Sequence, residues 1–104
     1  MAVTSKILYR GSAATSNTTL YTQPNTSTTT IVTSIMVANA STSAATYNIL
    51  IDGVDIANAA TVAANDTIII DTKQVIAASD PAKTITGSAS ATTVRFHISG
   101  VEVV

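Results

Sequence analysis

Residues 47–56 read Tyr47-Asn48-Ile49-Leu50-Ile51-Asp52-Gly53-Val54-Asp55-Ile56, and this stretch decides the fold class. Two apolar runs flank a single Asp-Gly pair. Asp-Gly suits a two-residue type I′ turn, which needs positive φ at both central positions and matches the twist of paired strands. The segment is therefore read as a β-hairpin, with Tyr47, Ile49 and Ile51 on one face of its first strand. The C-terminal stretch repeats the message. Val94, Phe96 and Ile98 alternate with Arg95, His97 and Ser99, the period-two mark of a half-buried strand. Phe96, the only phenylalanine, is expected near the middle of the core.

Outward from these two anchors, Thr, Val and Ile fill the structured segments, and such β-branched residues fit a pleated surface. Clusters of Ser, Asn, Asp and Gly interrupt them roughly every ten residues, the rhythm of a sandwich or barrel. Strands are predicted over Ser5–Arg10, Thr18–Thr22, Thr29–Ala38, Ala45–Asp52, Val54–Ala59, Thr67–Asp71, Lys83–Thr86 and Thr92–Val103. The expected fold is all-β: one domain over residues 1–104, an antiparallel, jelly-roll-like β-sandwich of about eight short strands, with residues 1–5 as an extended lead-in.

Some segments are less regular. Ile31, Ile35 and Val37 fall on one strand face while Val32 and Met36 are apolar on the other, so the strand is either central and covered or set against a neighbouring subunit. Ile68-Ile69-Ile70 poses the same question. Thr72–Ser79 is expected to form one helical turn, ended by Asp80-Pro81 because proline biases the residue before it away from helix. Ser12–Asn17, Gln23–Thr28 and Gly87–Ala91 read as polar links.

Composition narrows the function classes. Thr (19), Ala (17) and Ser (11) dominate the 104 residues, charged residues are 11% and aromatics 4%, and the formal net charge is −1. Disordered chains pair low hydrophobicity with high charge, and this chain has neither. A balanced charge gives no footprint for nucleic acid or an anionic membrane. There is no cysteine, hence no disulfide or thiolate metal site. Met1–Lys6 leads to Arg10 without an apolar h-region, so no signal peptide is expected. The longest mostly apolar stretch, Ile31–Ala38, is far short of the roughly twenty residues a spanning helix needs.

No catalytic, cofactor-binding or metal-ligating residue is expected. His97, the single histidine, lies on the strand face opposite Phe96 and is read as a solvent- or interface-facing residue rather than a base in a Ser-His-Asp device. Asp52, Asp55, Asp66, Asp71 and Asp80 lack calcium-loop spacing; at Asp52 and Asp66 turn chemistry is favoured. Asn17, Asn25, Asn39 and Asn65 stand in N-x-[ST] triplets but are read as turn formers in a Thr-rich chain. Tyr9, Tyr21 and Tyr47 would need a basic groove to form a nucleic-acid stacking platform, and five basic residues do not supply one. They are read as core or strand-end residues.

The more telling feature is a polar surface with few ions. Soluble domains usually carry about 25% charged residues. Ala and Thr surfaces desolvate cheaply, permit close approach and lose little side-chain entropy on ordering. Such a domain can cover two-sided strands and sheet edges by associating with copies of itself or with a larger lattice. A multi-copy structural protein is expected, not an enzyme.

The segments Ser5-Lys6-Ile7-Leu8-Tyr9-Arg10-Gly11, Leu20-Tyr21-Thr22, Ile49-Leu50-Ile51-Asp52-Gly53-Val54, Ala64-Asn65-Asp66-Thr67, Lys73-Gln74-Val75-Ile76 and Val94-Arg95-Phe96-His97-Ile98-Ser99-Gly100-Val101-Glu102-Val103 together resemble a family of short virion proteins of tailed bacteriophages, common in marine phages. Ser79-Asp80-Pro81 departs from the Gly-Asp turn frequent in that family. The resemblance implies a β-sandwich made in the host cytoplasm and placed on the outer surface of the phage head as a capsid decoration (cement) protein. The implied partners are the major capsid protein and copies of itself, trimers favoured, with no nucleic acid, membrane, cofactor or small-molecule ligand. The alternatives it leaves are a tail, head-to-tail or fibre component, or a carbohydrate- or receptor-binding module. Met1–Lys6, Gln23–Thr28, and Val101, Val103 and Val104 are the expected contact elements.

Overall fold

The hairpin forms as its sequence dictates. Strands β4 (Ala45–Ile51) and β5 (Val54–Val62) are antiparallel, and the turn residues Asp52 and Gly53 have φ of 54° and 74°, the positive values a type I′ turn requires. Ala45, Tyr47, Ile49 and Ile51 are buried in strict alternation. The computed structural model describes residues 2–71 and 73–104. Around the hairpin lie β1 (Val3–Ser12), β2 (Thr18–Thr22), β3 (Thr29–Asn39), β6 (Thr67–Ile70), β7 (Gln74–Ile76), β8 (Thr84–Ala89) and β9 (Val94–Val103).

The pairing is nested: β1 with β9, β2 with β8, β3 with β6 and β7, β4 with β5. Two further ladders, β9–β3 and β8–β4, close this rolled hairpin into sheet A (β1-β9-β3-β6, with β7 also on β3) and sheet B (β2-β8-β4-β5). That is the double-sheet jelly roll, all antiparallel. Between the sheets Val32, Ile35, Val37, Ile49, Val62, Ile85, Val94, Phe96 and Ile98 are sealed from solvent. Phe96 stands at the centre as expected, edge-on to Tyr47 with ring centroids 6.3 Å apart.

The structure departs from the sequence expectations chiefly in four places, each with a physical cause. First, β3 changes phase. Its pairing with β9 shifts between Val32 and Ser34, so Thr33 is a bulge residue. The extra residue turns Val32 inward with Ile35 and Val37 and leaves Ile31 and Met36 outside, where strict alternation groups Ile31 with Ile35. Second, the helical turn expected at Thr72–Ser79 is absent. Val75 and Ile76 belong to β7, whose backbone pairs with Thr30–Val32; Thr72 lies outside the described residues. The two short strands β6 and β7 flank the bulge on one edge, which raises the strand count among the described residues to nine. Third, the polar link expected from Gly87 is part of β8, which runs to Ala89. Gly87 lowers strand propensity, yet a Cβ there would stand 2.9 Å from the Asn48 carbonyl oxygen and 3.4 Å from the Phe96 ring. Small size is what lets the sheets close over Phe96. Fourth, β5 continues past Ala59, which takes a φ of 50°. Asn48 Oδ1 accepts a 2.7 Å hydrogen bond from the Ala59 amide and holds that irregularity.

Candidate interaction surface

Strand register dictates which side chains leave the core on the far side of sheet A. Across the sheet run the rows Val3–Val103–Thr29, Ser5–Val101–Ile31–Val75, Ile7–Ser99–Ser34, and Arg10–His97–Met36–Ile69. Val3, Ile7, Met36, Ile69 and Val75 are all exposed, between 37% and 66%. They are five of the seven exposed large hydrophobic residues among the described residues; the other two are Val54 at the hairpin tip and Val104. Ile31, Val101 and Val103 on the same face are half-buried. The outer face of sheet B is different. There β4 and β8 present Thr46, Asn48, Thr84, Thr86 and Ser88, with Leu50 the one large apolar residue. Apolar residues scattered singly on a surface need no explanation, but a set gathered on one sheet face makes a candidate interaction surface.

Three polar groups brace the sandwich behind this face. Tyr21 reaches from β2 across the core to sheet A, where its hydroxyl donates a 2.6 Å bond to Glu102 Oε2 and lies 2.8 Å from Thr30 Oγ1. Lys6 Nζ stands 3.2 Å from Glu102 Oε1. Gln23 clamps one end of the sandwich: Nε2 donates to the carbonyls of Thr28 and Ile76, and Oε1 accepts from the Lys83 amide, all at 3.0 Å. Asn39 does the same at the other end, donating to the Ser43 and Ala63 carbonyls and accepting from the Ser41 amide and the Thr93 hydroxyl. Buried polar atoms that are fully paired specify one arrangement of the loops they join.

Burial, and then the bond to Glu102, push the Tyr21 phenol up to about 12; burial raises Tyr47 as well. The folded protein thus holds these protons more tightly than the unfolded chain, whose tyrosines titrate near 10. The stabilisation is complete below pH 10 and drains away as pH climbs toward 12. Urea midpoints are expected to fall from pH 9 to pH 11.5, and to fall less in Tyr21→Phe, where only Tyr47 contributes.

The residues singled out in the sequence take up structural positions. His97 is half-exposed on the outer face of sheet A, in the row of Arg10, Met36 and Ile69. Asp52 forms a turn and pairs with Lys83 at 2.9 Å, and Asp66 Oδ1 accepts from the Thr67 amide. Asp55, Asp71 and Asp80 are exposed, and no three of Asp, Glu and His converge among the described residues. Asn25 and Asn39 are turn formers, Asn25 Oδ1 accepting from Ser27 and Thr28, and Asn65 has a φ of 53°. Asn39, 3% exposed with its amide engaged, is closed to glycan attachment. Tyr21 and Tyr47 lie in the core, while Tyr9 donates to the Ser12 carbonyl. An open depression of about 390 Å³ beside the hairpin tip is lined by Asp52, Ser79, Pro81 and Lys83, with its two charges paired to each other.

Among the expected contact elements, Val3 and Ser5 of the N-terminal segment and Val101 and Val103 lie on the outer face of sheet A, whereas Met1 is outside the described residues. The Gln23–Thr28 link needs correction. Its two ends are buried and serve the clamp, leaving 24–27 exposed. Sequence reading missed Glu102, although it is in phase with Val94, Phe96 and Ile98 and so points inward.

No family model matches the chain, and no curated protein matches it. Among solved structures, its fold is similar to part of a chain in the structure of infectious bursal disease virus, Gx strain, with a TM-score of 0.51 and 16% identity. The similarity covers 97% of this chain and 32% of that one, so this chain spans about a third of the length of the viral chain. The likeness is one of fold, and it is to a virus outside the tailed bacteriophages.

Proposed function

We propose that this chain is a structural component of a virus particle, and specifically a capsid decoration protein that binds the outside of a tailed-phage head. The observation that carries the reading is the outer face of sheet A, where apolar residues stand exposed in register. A low charge fraction supports it, because uncharged flanks desolvate cheaply on contact. The jelly-roll fold, shared with part of a viral chain, is consistent with the role, as are the motifs resembling tailed-phage virion proteins. The mechanism is additive contact area: a standard interface buries roughly 1,600 Å², and many copies joined to one shell and to each other act through multivalency.

Phage particles lacking this protein are expected to assemble and to lose their DNA at a lower temperature than complete particles. A particle reconstruction should then show hundreds of copies on the head. Unchanged resistance to heat and osmotic shock, or a handful of copies confined to the tail, would replace the decoration role with a tail or fibre role.

A further inference from the structure

We propose that the outer face of sheet A pairs with the same face of a second copy of this chain, about a two-fold axis that lies in the interface and crosses the strands. The proposal rests on the adhesive reading above and names the occupant of its main surface.

Area comes first. The face is four strands wide, and β1 and β9 each run 10 residues. At about 4.8 Å between strands and 3.3 Å per residue, it measures roughly 19 by 33 Å, or about 630 Å² per copy. Two such faces bury on the order of 1,250 Å², which falls within the range of stable specific interfaces. Sheets that meet face to face pack at about 10 Å with interdigitating side chains.

Charge selects the occupant. The strand residues on this face include no carboxylate, and the rows from Val3 to Ser34 carry no charge at all. A charged partner surface would be desolvated there without a counter-ion, which costs more than it returns. A second copy brings the same uncharged apolar rows, with its charges confined to one end. Arg10, Arg95 and His97 gather at one end of the face. An axis running along the strands would stack Arg10 and Arg95 on their counterparts, whereas an axis crossing the strands sets them at opposite ends, with Arg95 at the end of the face and Arg10 on its edge strand, from which long side chains reach past the interface into solvent. A face meeting the same face of a second copy is isologous, so the assembly is a pair rather than the trimer that the family resemblance implies.

Sedimentation of the full chain from micromolar to several hundred micromolar tests this. The wild type is expected to form dimers. Ile69→Lys and Val75→Lys, at positions 65% and 66% exposed, are each expected to weaken the dimer at least about tenfold with the thermal midpoint nearly unchanged. Val54→Lys, at a position 68% exposed on the hairpin tip, makes the same charge change away from the face and should dimerise like the wild type. A chain that stays monomeric throughout, a trimer, or a dimer indifferent to both face variants overturns the pairing. A monomer that still protects phage heads from heat would leave the decoration role intact and assign this face to the shell. A dimer that confers no protection would do the reverse.

Discussion

Gly100→Ala is expected to destabilise the protein by about 3 kcal/mol or more, among the largest effects of any single methyl group in this fold. Gly100 lies on β9, between β1 and β3, opposite the Thr33 bulge. A Cβ at this position would fall on the carbonyl oxygen of Ile31, and it would stand 2.9 Å from Leu8 Cδ1 and 3.2 Å from the Ile31 carbonyl carbon. The leucine side chain can turn away. The carbonyl cannot, because β3 is hydrogen-bonded on both edges and the bulge fixes its path. Relief requires β3 and β9 to separate, which also disturbs the buried Val32 and Ile98. Thermal unfolding should report a midpoint lower by roughly 15 °C for a domain of this size. A midpoint within a few degrees of wild type would show that the bulge relaxes freely.

Glu102→Ala is expected to cost about 2–3 kcal/mol. The substitution opens a void between the sheets and leaves the Tyr21 hydroxyl with Thr30 alone. The Lys6 contact is a minor part of the loss, because that side chain is 46% exposed and water replaces the carboxylate. Most of the effect belongs to the Tyr21–Glu102 bond, so a double-mutant cycle should locate it there. Tyr21→Phe combined with Glu102→Leu removes both polar groups while keeping their volume, and it should be more stable than the sum of the single changes predicts by about 1 kcal/mol or more. Strict additivity, measured by urea denaturation, would mean that the two groups act independently.

Where residue type and period alone determine structure, the sequence was readable. Asp52-Gly53 specifies its turn through backbone sterics that no distant contact changes. The alternation from Val94 to Ile98 specifies a face because β9 is regular throughout its length. The same alternation, continued two steps, places Gly100 and Glu102 inside. A glycine and a glutamate do not look like core residues, because their fitness for the core depends on what they meet: a backbone carbonyl for Gly100, a tyrosine hydroxyl for Glu102. The apolar outer face was half legible. Ile31–Ala38 and Ile68–Ile70 announce strands with two apolar sides, but which residues point outward depends on the bulge at Thr33, and a bulge is set by pairing with β9.

Composition and local pattern were thus sufficient for a sparsely charged, all-β chain with a fixed hairpin and a phenylalanine-centred core, since turn sterics and period-two burial act within a few residues. Only the tertiary structure decided that β7 replaces a helical turn, that Gln23 and Asn39 tie the two ends, and that five exposed apolar side chains gather on one face. Those outcomes depend on register between strands far apart in the chain, and a shift of one residue would send each of those side chains to the opposite side of the sheet.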